Sequence, residues 1–131
     1  MTHTIPIRIY YEDTDAGGVV YHARYINFGE RGRAEFLRNL GYESSKIVEE
    51  HGLCFVVRHL EADYFKPATL DDLLEMKTSV SEIKNSSFMV RHEFFKGDEK
   101  IVTLNVTLVC VSANDIKPVR MPDDLRKAFQ S

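Results

Sequence analysis

Two glycines, Gly29 and Gly32, stand in the middle of the apolar face of the longest helical stretch in this sequence. Between His22 and Leu40, the residues Tyr25, Phe28, Gly29, Gly32, Phe36 and Leu40 recur at three- or four-residue steps and so share one face. Arg24, Glu30, Arg31, Glu35 and Arg38 fall opposite. Each glycine costs a helix about 1 kcal/mol relative to alanine. Close approach of that helix to a sheet is the simplest arrangement that offsets the cost. Gly41 supplies a stop signal, and a short second helix is expected over Ser44 to His51.

The sheet is legible on both sides of the helix. Ile5, Ile7, Ile9 and Tyr11 alternate with Pro6, Arg8 and Tyr10, which predicts a strand from Thr4 to Glu12 with an edge position at Pro6. From Leu53 onward the period is again two. Leu74, Met76 and Val80 form one face of a strand, Phe88, Val90, His92 and Phe94 one face of the next, and Val102 to Cys110 a third. Strands with one wet face indicate an antiparallel sheet. Lys66-Pro67-Ala68 and Lys96-Gly97-Asp98 read as turns, and Pro122 to Phe129 as a closing helix. The class is α+β, one helix laid on a curved antiparallel sheet. One helix cannot cover both faces and both edges, so oligomerisation is the expected way to complete the core.

Composition narrows the function. At 131 residues the chain is expected to form one domain. A net charge of −3 without any Lys/Arg block argues against nucleic acid as a partner. Met1 to Ile5 has neither the basic region nor the apolar run of a signal peptide, and no run is long enough to span a bilayer, so a cytoplasmic protein without a membrane segment is expected. Cys54 and Cys110 sit in apolar strands and read as buried reduced thiols. No pair of the five histidines has zinc-site spacing, and no metal or cofactor is expected.

The chemically informative stretch is Tyr11-Glu12-Asp13-Thr14-Asp15-Ala16-Gly17-Gly18-Val19-Val20-Tyr21-His22. An acid-rich loop leaves a strand, two glycines allow a close turn, and a helix opens at Tyr21-His22. No Ser, Thr, Asp or Asn stands at the expected cap. Backbone N–H groups there lack intrahelical partners and can hold a developing oxyanion, or water or His22 caps them instead. Asp15 could attack a carbonyl or deprotonate a water. It could equally be a turn aspartate bonding its own backbone. Asp13 competes for the same role, and composition does not separate the two. Tyr11 reads as a hydrogen-bond donor or a core aromatic, and His22 as an orienting group or a solvated histidine. A side chain at Gly17 or Gly18 would obstruct the turn or the approach of a substrate.

This unbroken run resembles the active-site segment of the 4-hydroxybenzoyl-CoA thioesterase family, in particular its branch of small bacterial acyl-CoA thioesterases associated with the Tol–Pal system. The resemblance continues through Arg24-Tyr25, Glu30-Arg31-Gly32-Arg33, Tyr64-Phe65-Lys66-Pro67-Ala68, Asp71-Asp72 and Ser87-Phe88. It implies the hotdog fold, a long central helix wrapped by a curved antiparallel sheet, in dimers that commonly pair into tetramers. It further implies that Asp15 is the catalytic carboxylate, that Tyr11 and His22 support it, and that a backbone N–H near Tyr21-His22 polarises the thioester carbonyl. The basic cluster that meets coenzyme A phosphates in the hydroxybenzoyl enzyme is reduced here to Lys84-Asn85-Ser86, leaving Lys84 as the charged contact. The implied reaction is hydrolysis of acyl-CoA to a carboxylic acid and a thiol, with an acyl carrier protein as an alternative thioester donor. A hotdog enoyl-thioester hydratase, which would want an Asp–His pair, and a non-catalytic acyl-CoA-binding module are the competing readings.

Overall fold

The turn at Gly97, with φ at +62°, joins the last two of five strands that form a single antiparallel sheet. The computed structural model describes residues 1–130. In chain order its elements are β1 (Thr2–Arg8), a 3-10 turn (Tyr11–Asp13), α1 (Arg24–Asn39), α2 (Ser44–His51), β2 (Leu53–Tyr64), β3 (Leu73–Ile83), β4 (Ser87–Lys96), β5 (Glu99–Ser112) and α3 (Asp123–Gln130). The spatial order is β1-β3-β4-β5-β2, which leaves β1 and β2 at the edges and puts Pro6 on an edge strand as its chemistry requires. Register shifts at Val57/His59, Val80/Glu82 and Phe94/Phe95 mark bulges that bend and twist the strands.

The α1 helix lies on one face of this sheet. It buries Tyr25, Phe28, Gly29, Gly32, Phe36 and Leu37. The expected face is therefore the buried one, with Leu37 in fuller contact than Leu40. The two glycines mark the closest approach. A Cβ on Gly32 would stand 2.7 Å from Met76 Cε and 2.9 Å from Thr78 Oγ1, and one on Gly29 3.1 Å from Leu104 Cδ1. A β-carbon at Gly32 would force Met76 or Thr78 to shift, and one at Gly29 would press on Leu104 and His92.

Beneath the glycines the core holds an ionisable side chain. His92 is completely buried. Its Nε2 lies 3.2 Å from Arg33 Nη1 and its Nδ1 2.9 Å from Thr78 Oγ1. A guanidinium only donates, so Nε2 accepts, the ring is neutral, and Nδ1–H donates to the threonine. Burial, and then the charge of Arg33, push the His92 pKa down from 6.5 to about 3.

Two boundaries differ from the sequence reading. The first strand ends at Arg8 rather than Glu12. The Asp13 carboxylate takes the Tyr10 N–H at 2.8 Å and Asp13 N–H bonds the Tyr10 carbonyl, which pulls the chain into a turn. Tyr11 is consequently 81% exposed and is not a core aromatic. The long helix begins at Arg24, two residues later than expected, because Tyr21 N–H is bonded to the Asp13 carbonyl and held in an extended pairing.

His92 makes stability depend on pH. Unfolded, it takes a proton near pH 6.5; folded, only near pH 3. Between those values the unfolded chain binds the proton and the folded chain does not, so acidification favours unfolding. Stability should fall as pH drops from 6.5 toward 4.5, with this residue contributing up to about 1.4 kcal/mol per pH unit. Thermal melts across that range should show a shallower loss for His92→Gln than for wild type; parallel curves would assign the acid sensitivity elsewhere.

Candidate active site

Residues 13–21 fold into a tight hairpin. Tyr21 N–H bonds the Asp13 carbonyl at 2.9 Å, Thr14 bridges Val20, and Asp15 N–H bonds the Val19 carbonyl at 2.9 Å. The tip turns through Ala16-Gly17-Gly18, with Gly18 at φ +82° and its N–H on the Asp15 carbonyl. A β-carbon at that φ is strained, so Gly18 serves the turn through its backbone. The hairpin docks on the β2–β3 connection, where Val19 bridges Thr69 and Val20 N–H bonds the Ala68 carbonyl.

The two acids of the hairpin have different fates. Asp13 is 3% exposed and spends both oxygens on structure. Its Oδ2 accepts the Tyr10 N–H, and its Oδ1 takes Arg24 Nη2 at 2.6 Å and Nε at 3.0 Å. Asp15 is exposed, and its Oδ1 accepts the Gly17 N–H at 2.9 Å. Its Oδ2 accepts no hydrogen bond among the described residues. The turn geometry therefore fixes one carboxylate oxygen and leaves the other facing solvent. A β-carbon on Gly17 would lie 3.2 Å from Oδ1, so glycine there keeps room for the carboxylate.

The opposite leg of the hairpin runs into α1. Ala23 is the N-cap and makes no side-chain capping bond. Tyr21 N–H is already engaged, whereas the N–H groups of His22 and Ala23 find no acceptor among the described residues. Both belong to the positive end of the helix dipole. His22 itself is exposed, with its ring 4.7 Å from Tyr21 and 6.2 Å from Tyr64, and no hydrogen bond joins it to Asp15 among the described residues.

Lys84 is not part of this cluster. It follows β3, whose other end pairs Leu73 with Arg8 beside the hairpin. Eleven strand residues separate the two places, about 35 Å along the strand. At its own end, Lys84 Nζ lies 3.8 Å from Glu82 Oε1. An apolar cavity of about 340 Å³ opens under the second half of α1, between α2 and strands β2 to β5. Phe36, Leu37, Ile47, Val57, Val80 and Phe88 line it, and none of the expected site residues does.

Residues 10–129 match the model of the thioesterase-like superfamily. The chain belongs to that superfamily. Its helix-on-sheet architecture is the hotdog fold. An acyl-CoA thioesterase from Haemophilus influenzae, YbgC, is 44% identical over 126 residues, covering 96% of this chain and 93% of that protein. A probable thioesterase from Bartonella henselae is 39% identical, with a TM-score of 0.88 over 93% of this chain and 100% of the other. A 1,4-dihydroxy-2-naphthoyl-CoA thioesterase from Synechocystis, 20% identical, has a TM-score of 0.91 over 100% of this chain and 97% of its own, a likeness of fold.

Two contacts around the hairpin escaped the sequence reading. The Asp13–Arg24 pair joins residues eleven apart whose meeting depends on the hairpin closing. Tyr64 donates its hydroxyl to the His22 carbonyl at 2.9 Å, across forty-two residues. The only sequence signal for Tyr64 was its place in the resembling Tyr-Phe-Lys-Pro-Ala segment. Asp13→Ala leaves Arg24 and the Tyr10 N–H without their acceptor and should lower unfolding stability by about 2–3 kcal/mol. Urea denaturation checks this, and a variant as stable as wild type would return Asp13 to candidacy as the reactive acid.

Proposed function

We propose that this chain hydrolyses acyl-CoA thioesters, with Asp15 as the reacting carboxylate and the N–H groups of His22 and Ala23 as the oxyanion donors. The observation that carries the reading is the division of labour between the acids. Asp13 is consumed by Arg24, while Asp15 is oriented by Gly17 and keeps one oxygen open. Asp15 pairs with Val19 on the opposite leg of the hairpin, and that leg runs on three residues to the His22 N–H, so one short segment carries both the acid and the donors. Water adds to the carbonyl carbon, the carbon–sulfur bond breaks, and a carboxylic acid and the coenzyme A thiol leave. The thiolate is a good leaving group, so a carboxylate acting as base or as nucleophile suffices. Tyr11 and His22 are both exposed and so accessible to a substrate, and the naming of the YbgC relatives as thioesterases favours hydrolysis over hydration.

Asp15→Asn should lower kcat for acyl-CoA hydrolysis at least about a hundredfold, the lower range for a lost acid–base group. A thiol-release assay run on several acyl-CoA substrates measures this, with circular dichroism to confirm folding. Full activity in the asparagine variant would reject the assignment.

The whole chain acts, on this reading, as one domain of a homodimer, with a tetramer as the next assembly. The long edge strand β2 leaves Val57 exposed beside the open cavity, and an uncovered strand edge invites pairing with another chain. Assembly also offers the route by which the partner subunit's Lys84 reaches a coenzyme A phosphate, since a chain's own Lys84 lies at the far end of β3. Acyl carrier protein is the second thioester donor to test. The unpaired thiols of Cys54 and Cys110 suit a cytoplasmic setting. Sedimentation at micromolar concentration should give a dimeric or tetrameric mass; a fully active monomer would overturn the shared-site reading.

A further inference from the structure

The hydrogen bond from Tyr64 to the His22 carbonyl has a geometric consequence at the helix start. A trans peptide unit is rigid and planar, so its C=O and the following N–H point in opposite directions. Fixing the oxygen fixes the hydrogen. The unit that carries the His22 N–H is held through the Tyr21 carbonyl, which accepts the Arg24 N–H at 2.9 Å. The unit that carries the Ala23 N–H has no such help from the helix. Ile26 N–H bonds the Ala23 carbonyl at 3.1 Å, so the helical ladder passes over the His22 carbonyl. The oxygen that the helix leaves out is the one that Tyr64 takes.

The Tyr64 ring is itself anchored. It ends β2, and its centroid lies 5.8 Å from the ring of buried Tyr25, which packs in turn 5.2 Å from Phe94. Burial raises the Tyr64 phenol above its ordinary pKa, so the hydroxyl keeps its proton and remains a donor. A carbonyl that accepts a hydrogen bond also polarises the N–H at the other end of its peptide unit.

We propose that Tyr64 is a positioning residue for thioester hydrolysis: its hydroxyl clamps the His22–Ala23 peptide unit so that the Ala23 N–H joins the His22 N–H on the thioester oxygen. The inference rests on the hydrolase reading above. It gives a role to a tyrosine that does not itself react and that stands forty-two residues from His22.

Tyr64→Phe keeps the ring and its contacts and removes only the hydroxyl. Its kcat for acyl-CoA hydrolysis should fall about three- to tenfold, the size of one lost hydrogen bond, while KM stays unchanged. A second readout does not depend on turnover or on the folded fraction. In an Asp15→Asn background, the infrared carbonyl stretch of bound acyl-CoA should lie below its free value, and adding Tyr64→Phe should move it back toward that value. Only protein that binds the thioester contributes to the band. An active wild type with unchanged kcat and an unmoved band in the Tyr64 variants would overturn the inference alone. A wild type that releases no thiol from any acyl-CoA would sink the hydrolase reading, and this inference with it.

Discussion

The closest approach of α1 to the sheet, at Gly32, governs the rest of the molecule. The helix comes so near that a single β-carbon would collide with Met76 and Thr78. At that distance Phe28 and Tyr25 reach Phe94, and the helix covers the middle strands of the sheet rather than standing off on its side chains. The same approach brings Arg33 against His92 and seals the ring in its neutral form. Two residues that weaken a helix in isolation are therefore what lets this helix bury its face.

Holding α1 down also fixes where the helix begins, and with it the proposed site. The hairpin from Asp13 to Tyr21 is tied at its base by the Asp13–Arg24 pair and across its edge by the Ala68 and Thr69 backbone. One acid is spent to hold the other in place. A buried charged pair of this kind is weak evidence for stability, because desolvation opposes attraction. Here it does something more specific: it sets the relation between the carboxylate of Asp15 and the uncapped N–H groups at the start of α1.

The sheet is covered on one face by α1 and is open at β1 and β2. The two ends of β3 carry the hairpin contacts and Lys84, and a rigid strand keeps them apart. This separation is the physical reason to seek a second copy in any account of how one substrate meets both. The cavity beside β2 and the exposed Val57 lie on the edge strand proposed to pair with such a copy.

The periodicities of the sequence determined the element types, because a period of two or of 3.6 follows from backbone geometry alone. The face of α1, the edge position of β1 at Pro6 and the turn at Gly97 were all legible in this way. The run from Tyr11 to His22 marked the segment proposed as the reactive site. Tertiary structure decided what local sequence cannot encode. Asp13 and Asp15 look alike in the chain, and only the arrival of Arg24 at one of them tells them apart. Tyr11 alternates with the strand before it, yet the Asp13 carboxylate captures the Tyr10 N–H and ends that strand early. The sequence put a backbone donor near Tyr21 or His22, and the Tyr21 N–H is spent on closing the hairpin. Tyr64 meets His22 across forty-two residues, and Thr78 meets His92 only through the register in which β3 and β4 pair. Such contacts depend on the register and curvature of the whole sheet, and no local pattern carries that information.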